Sequence, residues 1–257
     1  MQQNQMVCAY FSPCGTTKKA VCTIGEVWQM PTTQWDMTPL SAECTTLKLA
    51  QDDLLILGVP SFGGRVPEIA MQRIQQLQGN HTPAIAVVTY GNRAFDDTFA
   101  ELQDGLQAQG FCVVAGIAAV TQHSIMPQFG NGRPNAADLK ELQSFANQIK
   151  ENMQTKEWKE ISLPGNRPYL ERHGGGLVPV TDITLCKGCG LCATHCPTGA
   201  IPKDAPQNTD AKKCVSCMGC ISVCPSHARS LPAPMVVALT ARLEKVCSER
   251  KENQLFL

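Results

Sequence analysis

Eight cysteines between Cys186 and Pro225 fall into two runs, C-K-G-C-G-L-C-A-T-H-C-P and C-V-S-C-M-G-C-I-S-V-C-P, each with the spacing C-x2-C-x2-C-x3-C-P. That is the spacing with which thiolates hold a 4Fe-4S cluster, and where two runs occur the fourth cysteine of each ligates the other cluster. Three cysteines two residues apart can wrap a short loop around one face of a cube. The fourth lies along a helical turn leading away from its own loop, so it reaches the neighbouring cube. The expected ligand sets are therefore crossed: Cys186, Cys189, Cys192 and Cys224 for one cluster, and Cys214, Cys217, Cys220 and Cys196 for the other. Pro197 and Pro225 stop each turn just past its ligand. Gly188, Gly190 and Gly219 let the backbone pass close to sulfur and offer it N–H groups, which raises the reduction potential. Zinc is the other frequent user of C-x2-C pairs, but a four-cysteine zinc site takes two pairs, and each run here has a third evenly spaced cysteine followed by C-P. A disulfide framework fits less well, because no signal peptide is expected and a chain of 257 residues needs no staples.

A second chemistry-bearing stretch lies near the N-terminus. Met6 to Phe11 reads as a short buried strand, and Thr17 to about Gln29 places Ala20, Val21, Ile24, Val27 and Trp28 at helical spacing. Between them lies Ser12-Pro13-Cys14-Gly15-Thr16-Thr17, a polar strand-to-helix loop of the kind that holds phosphate in α/β proteins, or else a plain turn with a threonine cap. Strand and helix then alternate. Strands are expected over residues 32–37, 53–59, 84–89 and 111–120, and helices over 67–78, 96–109 and 136–153. Right-handed crossovers turn five such units into a doubly wound parallel sheet, with ligands beyond the carboxyl ends of the strands, where loops 12–17, 60–65 and 90–95 meet.

The loops S-P-C-G-T-T, G-V-P-S-F-G-G-R-V-P and T-Y-G-N-R-A-F-D-D each follow a strand. With them, residues 6 to about 153 resemble a short-chain flavodoxin, and the whole chain resembles the flavodoxin-ferredoxin fusion proteins of anaerobes. The resemblance implies FMN, with phosphate contacts from Ser12, Cys14, Gly15, Thr16 and Thr17 and ring contacts from Ser61, Phe62, Gly63, Gly64, Tyr90, Gly91 and Asn92. Cys14 stands where that family usually has threonine, so one hydroxyl contact to phosphate is missing. A plain structural role, covering strand ends, is also open to Phe62 and Tyr90.

The expected organisation is an α/β flavodoxin-like domain over residues 1–155 with a doubly wound five-stranded parallel sheet, and a linker over 156–178. A small α+β ferredoxin-like domain with two 4Fe-4S clusters follows over 179–233, then a C-terminal helix and tail over 234–257. The linker reads as an ordered arm, stiffened by Pro164, Pro168 and Tyr169, with one joint at Gly174-Gly175-Gly176. The apolar face of the C-terminal helix is expected to brace a domain or a second subunit, and the tip L-F-L to dock back or to pair with another copy. Residues 1–155 hold 9 basic and 13 acidic side chains and residues 156–257 hold 13 and 9, so the halves carry opposite charges that favour docking. Two cores of about two negative charges each would cancel the second half's excess, which leaves no basic stripe for nucleic acid. No apolar run approaches the roughly 20 residues that span a bilayer, and six scattered further cysteines suit a reducing, cytoplasmic compartment.

The function expected from the cofactors is electron transfer between one-electron clusters and a flavin that takes one or two, with ferredoxin-type or reductase-type redox proteins as partners. An alternative is an FMN-dependent reductase of a small acceptor such as a quinone, nitro compound or tetrapyrrole-like molecule, with His123, Arg93, Asp96 and Gln128 on the substrate side. A redox sensor acting through a partner is a third, and the absence of G-x-G-x-x-G gives direct use of NAD(P)H no support.

Overall fold

Strand β4 (Leu54–Pro60, L-L-I-L-G-V-P) shows why the first domain is layered on both faces. Leu54 and Ile56 project into one core, and Leu55, Leu57 and Val59 into another. A strand that is apolar at every position has no face to offer water, and belongs in the middle of a parallel sheet. The computed structural model describes residues 4–44, 46–155, 158–172 and 175–257.

In chain order the elements are β1 (Met6–Tyr10), α1 (Thr16–Gly25), β2 (Thr32–Asp36), β3 (Leu47–Lys48), β4, α2 (Glu68–Ile74), β5 (Leu77–Gln78), β6 (Thr82–Tyr90), α3 (Thr98–Ala108), β7 (Phe111–Val120) and α4 (Ala136–Thr155). After the arm come β8 (Val180–Thr181), α5 (Leu191–Thr194), α6 (Gly219–Ser222), β9 (Arg229–Ser230), α7 (Ala233–Cys247) and β10 (Gln254–Phe256). The main sheet runs β10-β7-β6-β4-β1-β2. The five strands from the first domain are mutually parallel and, counted among themselves, lie in the order 2-1-3-4-5, the doubly wound flavodoxin-like arrangement. Helices α1 and α4 cover one face through Ala20, Val21, Ile24, Leu142, Ala146 and Ile149. On the other face, α2 and α3 contribute Ala70, Ile74, Phe99, Leu102 and Leu106. The expected helix 67–78 stops at Ile74, because Leu77–Gln78 pair with Leu47–Lys48 in a small two-stranded sheet.

The sheet differs from the five-stranded expectation at its β7 edge. The tail returns as β10 and pairs antiparallel with β7, Leu255 opposite Ile117, making a sixth strand that covers an otherwise open edge. Phe256 then packs edge-on against Phe99 at 5.3 Å and Phe95 at 6.4 Å. Helix α7 buries Cys247 and leans Val236, Leu239 and Leu243 on Met126 and Phe129 of the loop after β7.

The arm preceding the cysteines is fastened to α3. Both oxygens of Asp97 accept from the arm: Asn166 N at 2.7 Å and Asn166 Nδ2 at 2.9 Å, and Leu170 N at 2.7 Å. Gln103 bonds Ile161 O and Leu163 N, and Leu163 is buried. Arg167 pairs with Asp104, and the Arg65 guanidinium lies over the Tyr169 ring at 4.5 Å while bonding Glu101. Gly174 of the expected joint lies outside the described residues; Gly175 and Gly176 follow with φ of +91° and +76°. Among the described residues no helix is long and apolar enough to cross a membrane.

Candidate functional site: two cysteine cavities beside a loop-lined cleft

The two cysteine runs fold alike. In the first, Gly188 and Gly190 take positive φ (+66° and +73°), and at the matching places of the second Ser216 and Met218 do the same (+55° and +61°). Each run therefore turns twice through the left-handed region before its four-residue helix, α5 or α6. The turns gather the thiols into two sets. Cys186, Cys189, Cys192 and Cys224 wall one cavity, and Cys196, Cys214, Cys217 and Cys220 wall another. Each cavity thus draws its fourth cysteine from the other run. Among the described residues no three side chains of metal-ligating type converge on a single-ion site. Thiols around a zinc ion would converge, with bonds of about 2.3 Å to one centre. Thiols spread around a cavity suit a cube with iron at several corners. Backbone N–H groups point at the sulfurs, Ala200 to Cys196 at 3.2 Å and Ala228 to Cys224 at 3.3 Å, which steadies the charge of a bound core.

Gly219 has a different role from Gly188 and Gly190. Its φ is not in the left-handed region, and a Cβ there would lie 3.1 Å from Pro13 O and 3.1 Å from His195 Cδ2. The second cysteine run approaches the first domain at this point. His195, beside Cys196, donates from Nε2 to Pro13 O at 2.6 Å, and Cys14 Sγ donates to Cys217 O at 3.4 Å. Burial pushes the Cys14 thiol up to about 12, with the nearby Cys220 adding to the effect, so it stays a protonated donor. From the same domain the fully buried Arg73 donates to Pro197 O at 2.8 Å.

Beside this contact lies a cleft over the carboxyl ends of β1, β4 and β6. Of the residues expected there, Cys14, Thr16, Thr17, Ser61, Phe62, Tyr90 and Gly91 line it. Ser12 sits behind, its Oγ accepting from Lys18 N at 2.9 Å and its N–H donating to Thr38 Oγ1 at 2.8 Å. Gly15 takes φ +82° as the residue before α1. Gly15 has no side chain with which to cap α1; Ser12 Oγ takes only the N–H of Lys18, and the N–H groups of Thr16 and Thr17 have no acceptor among the described residues. These open donors at a helix start suit a phosphate. Gly63 and Gly64 form the tight turn that lets Phe62 and Arg65 exchange backbone bonds, and stand off the cleft wall.

Asn92 is not in the cleft. It is buried, and its side chain grips the tail: Nδ2 donates to Cys247 O at 2.6 Å and Glu249 O at 2.9 Å, and Oδ1 accepts from Lys251 N at 3.0 Å. Tyr90 lines the cleft while its hydroxyl donates to Glu252 O at 3.1 Å. Of the four substrate-side candidates only His123 lines it. Arg93 and Asp96 pair with each other, and Gln128 is exposed on a separate cavity beside Arg133. Thr89, whose Oγ1 shares a hydrogen bond of 2.8 Å with Thr17 Oγ1, and Thr121, Gln122 and Ser124 after β7 also line the cleft, and no loop motif in the sequence announces them. Cys217, expected only as a cluster ligand, lines both this cleft and the second cysteine cavity.

Residues 179–227 match the family of the 4Fe-4S dicluster domain, so the chain joins a flavodoxin-like α/β unit to a two-cluster domain. No curated protein matches by sequence. Among solved structures, the chain is similar to oxidised flavodoxin 2 from Bacillus cereus (16% identity, 58% of this chain and 99% of that one, TM-score 0.42). It is likewise similar to a Fusobacterium nucleatum flavodoxin bound to flavin mononucleotide (16% identity, 59% and 98%, TM-score 0.40). At scores of this size the fold assignment rests on strand order and register.

Proposed function

We propose that the chain is an electron-transfer flavo-iron-sulfur protein, with FMN in the cleft and one 4Fe-4S cluster in each cysteine cavity. The observation that carries the reading is Cys217, a single residue in the walls of both the cleft and the second cluster cavity. Proximity of two redox sites is what electron transfer requires, and here one residue's thickness separates them. FMN would supply a centre that exchanges one or two electrons, and each cluster one that exchanges a single electron.

The chain's own residues fit these groups. The uncapped N–H groups of Thr16 and Thr17 would hold a phosphate dianion without a cationic side chain, while Phe62 and Tyr90 offer flat apolar faces to a ring. The other cluster cavity lies on the outer side: Cys189 is exposed, and Ile183, Leu185 and Leu191 around it are 76%, 46% and 49% exposed. The inner cluster would serve the cleft and the outer one a redox protein partner.

The cleft favours this reading over a small-acceptor reductase, because among the described residues no carboxylate, lysine or arginine lines it. Burial, with Arg93 nearby, pushes its one imidazole, His123, down to about 4, so the imidazolium needed for proton delivery is scarce at neutral pH. Anaerobic purification followed by iron, sulfide and flavin analysis tests the assignment. About eight irons, eight sulfides and one FMN per chain are expected, and stoichiometric zinc without sulfide would refute it.

A further inference from the structure

His123 stands in the cleft wall on the loop after β7, with its ring held on three sides. Its Nδ1 faces two backbone donors, Ile125 N at 3.2 Å and Met126 N at 3.3 Å, and must therefore be the lone-pair nitrogen. The proton of the neutral ring is then on Nε2, for which no acceptor exists among the described residues. On another side the ring rests on the backbone of Gly91, where a Cβ would come within 2.7 Å of His123 Cγ and Cδ2. Behind it, His123 N donates to Phe129 O at 3.0 Å, and Phe129 and Met126 are packed under Val236, Leu239 and Leu243 of α7. The helix that leaves the cluster domain thus fixes the loop on which the imidazole sits.

We propose that His123 is a fixed, neutral Nε2–H donor to the ligand in the cleft, and that it makes a bound flavin easier to reduce. The inference rests on FMN as the occupant. A donor of set position stabilises whichever redox state carries more negative charge on the atoms it faces, and reduction puts charge on the ring's oxygens and nitrogens. A neutral residue held this way needs no reorientation when that charge arrives.

Two substitutions separate this role from support of the loop. His123→Asn keeps an acceptor for the amides two and three residues on, as an Asx turn does, but has no donor reaching the Nε2 position. His123→Gln keeps a donor near that position and gives up the acceptor. Flavin and cluster potentials of the wild type and both variants would be read by anaerobic spectroelectrochemical titration, with iron and FMN content as the check on folding. In the wild type, ¹⁵N NMR of the imidazole would be read with and without FMN. The expected result is that His123→Asn weakens binding of reduced relative to oxidised FMN about tenfold, a fall of about 30 mV for a two-electron couple. His123→Gln stays near the wild type, the cluster potentials do not move, and the Nε2–H resonance shifts when FMN binds. Equal flavin potentials in the wild type and His123→Asn, or an Nε2–H signal indifferent to FMN, would overturn the assignment of His123 alone. Wild-type protein that takes up no FMN would overturn the reading of the cleft as well.

Discussion

At the scale of single residues, the informative positions are those where a side chain serves two sites at once. Cys14 replaces the threonine usual in the resembling loops, and its thiol turns toward the cysteine domain and donates to Cys217 O. Gly219 faces it from the other side, and the space it leaves is occupied by Pro13 O and the His195 ring. Replacing Gly219 by alanine should wedge the two loops apart by a few tenths of an ångström without touching a thiol. We expect full iron and flavin content but slower internal electron transfer, measured by flash reduction. An unchanged rate would show that the approach at Gly219 is not the route. The crossed thiol sets lead to a second prediction. Cys196→Ala should abolish the EPR signal of the cluster next to the cleft and spare that of Cys186, Cys189, Cys192 and Cys224. Survival of the inner signal with loss of the outer would contradict the assignment.

At the scale of elements, two segments fasten the cluster domain to the α/β unit. The arm depends on Asp97: burial acts to raise its pKa, but bonds from Asn166 and Leu170 outweigh this and hold it below the ordinary carboxylate value. A carboxyl depressed in the folded state contributes stability that is complete above its unfolded pKa, about 4, and lost as pH falls through the lower folded value. Asp97→Ala should therefore cost about 2 kcal/mol at neutral pH, seen as a lower denaturation midpoint, and the deficit should shrink in acid below about pH 4. The tail is the second fastening. Removing residues 249–257 takes away β10, two of the three Asn92 contacts, the Tyr90 contact and the Phe256 packing. The truncated chain should lose FMN on gel filtration while retaining its iron, and full retention of both would show that the tail does not support the cleft. Much of this was legible beforehand in uneven measure. The parallel strands could be read because β4 and the middle of β6 are apolar runs, and the cysteine sets because their spacing is a covalent rule. Whether the tail docks back or pairs with another copy could not be read, since Q-L-F is a weak strand signal and its register is set by contacts across more than a hundred residues, Asn92 with Lys251 and Asn253 with Val120. For the same reason Asn92 read as a cleft residue, as nothing local to Tyr90-Gly91-Asn92 announces a partner at Cys247.

At the scale of the whole molecule, the cluster domain is tied at both ends, by the arm on α3 and by α7 with β10, and its inner cysteine run is pressed on the loop before α1. Two tethers and a docked face hold one site at a very high effective concentration relative to the other. The central claim is that electrons entering at the clusters reach the flavin within one chain. Its most direct test is anaerobic stopped flow, with the clusters reduced by a one-electron donor and flavin absorbance followed over a range of protein concentrations of about fiftyfold. A single first-order rate, the same at every concentration, is expected. A rate rising in proportion to protein concentration would mean that electrons cross between molecules, and would contradict it.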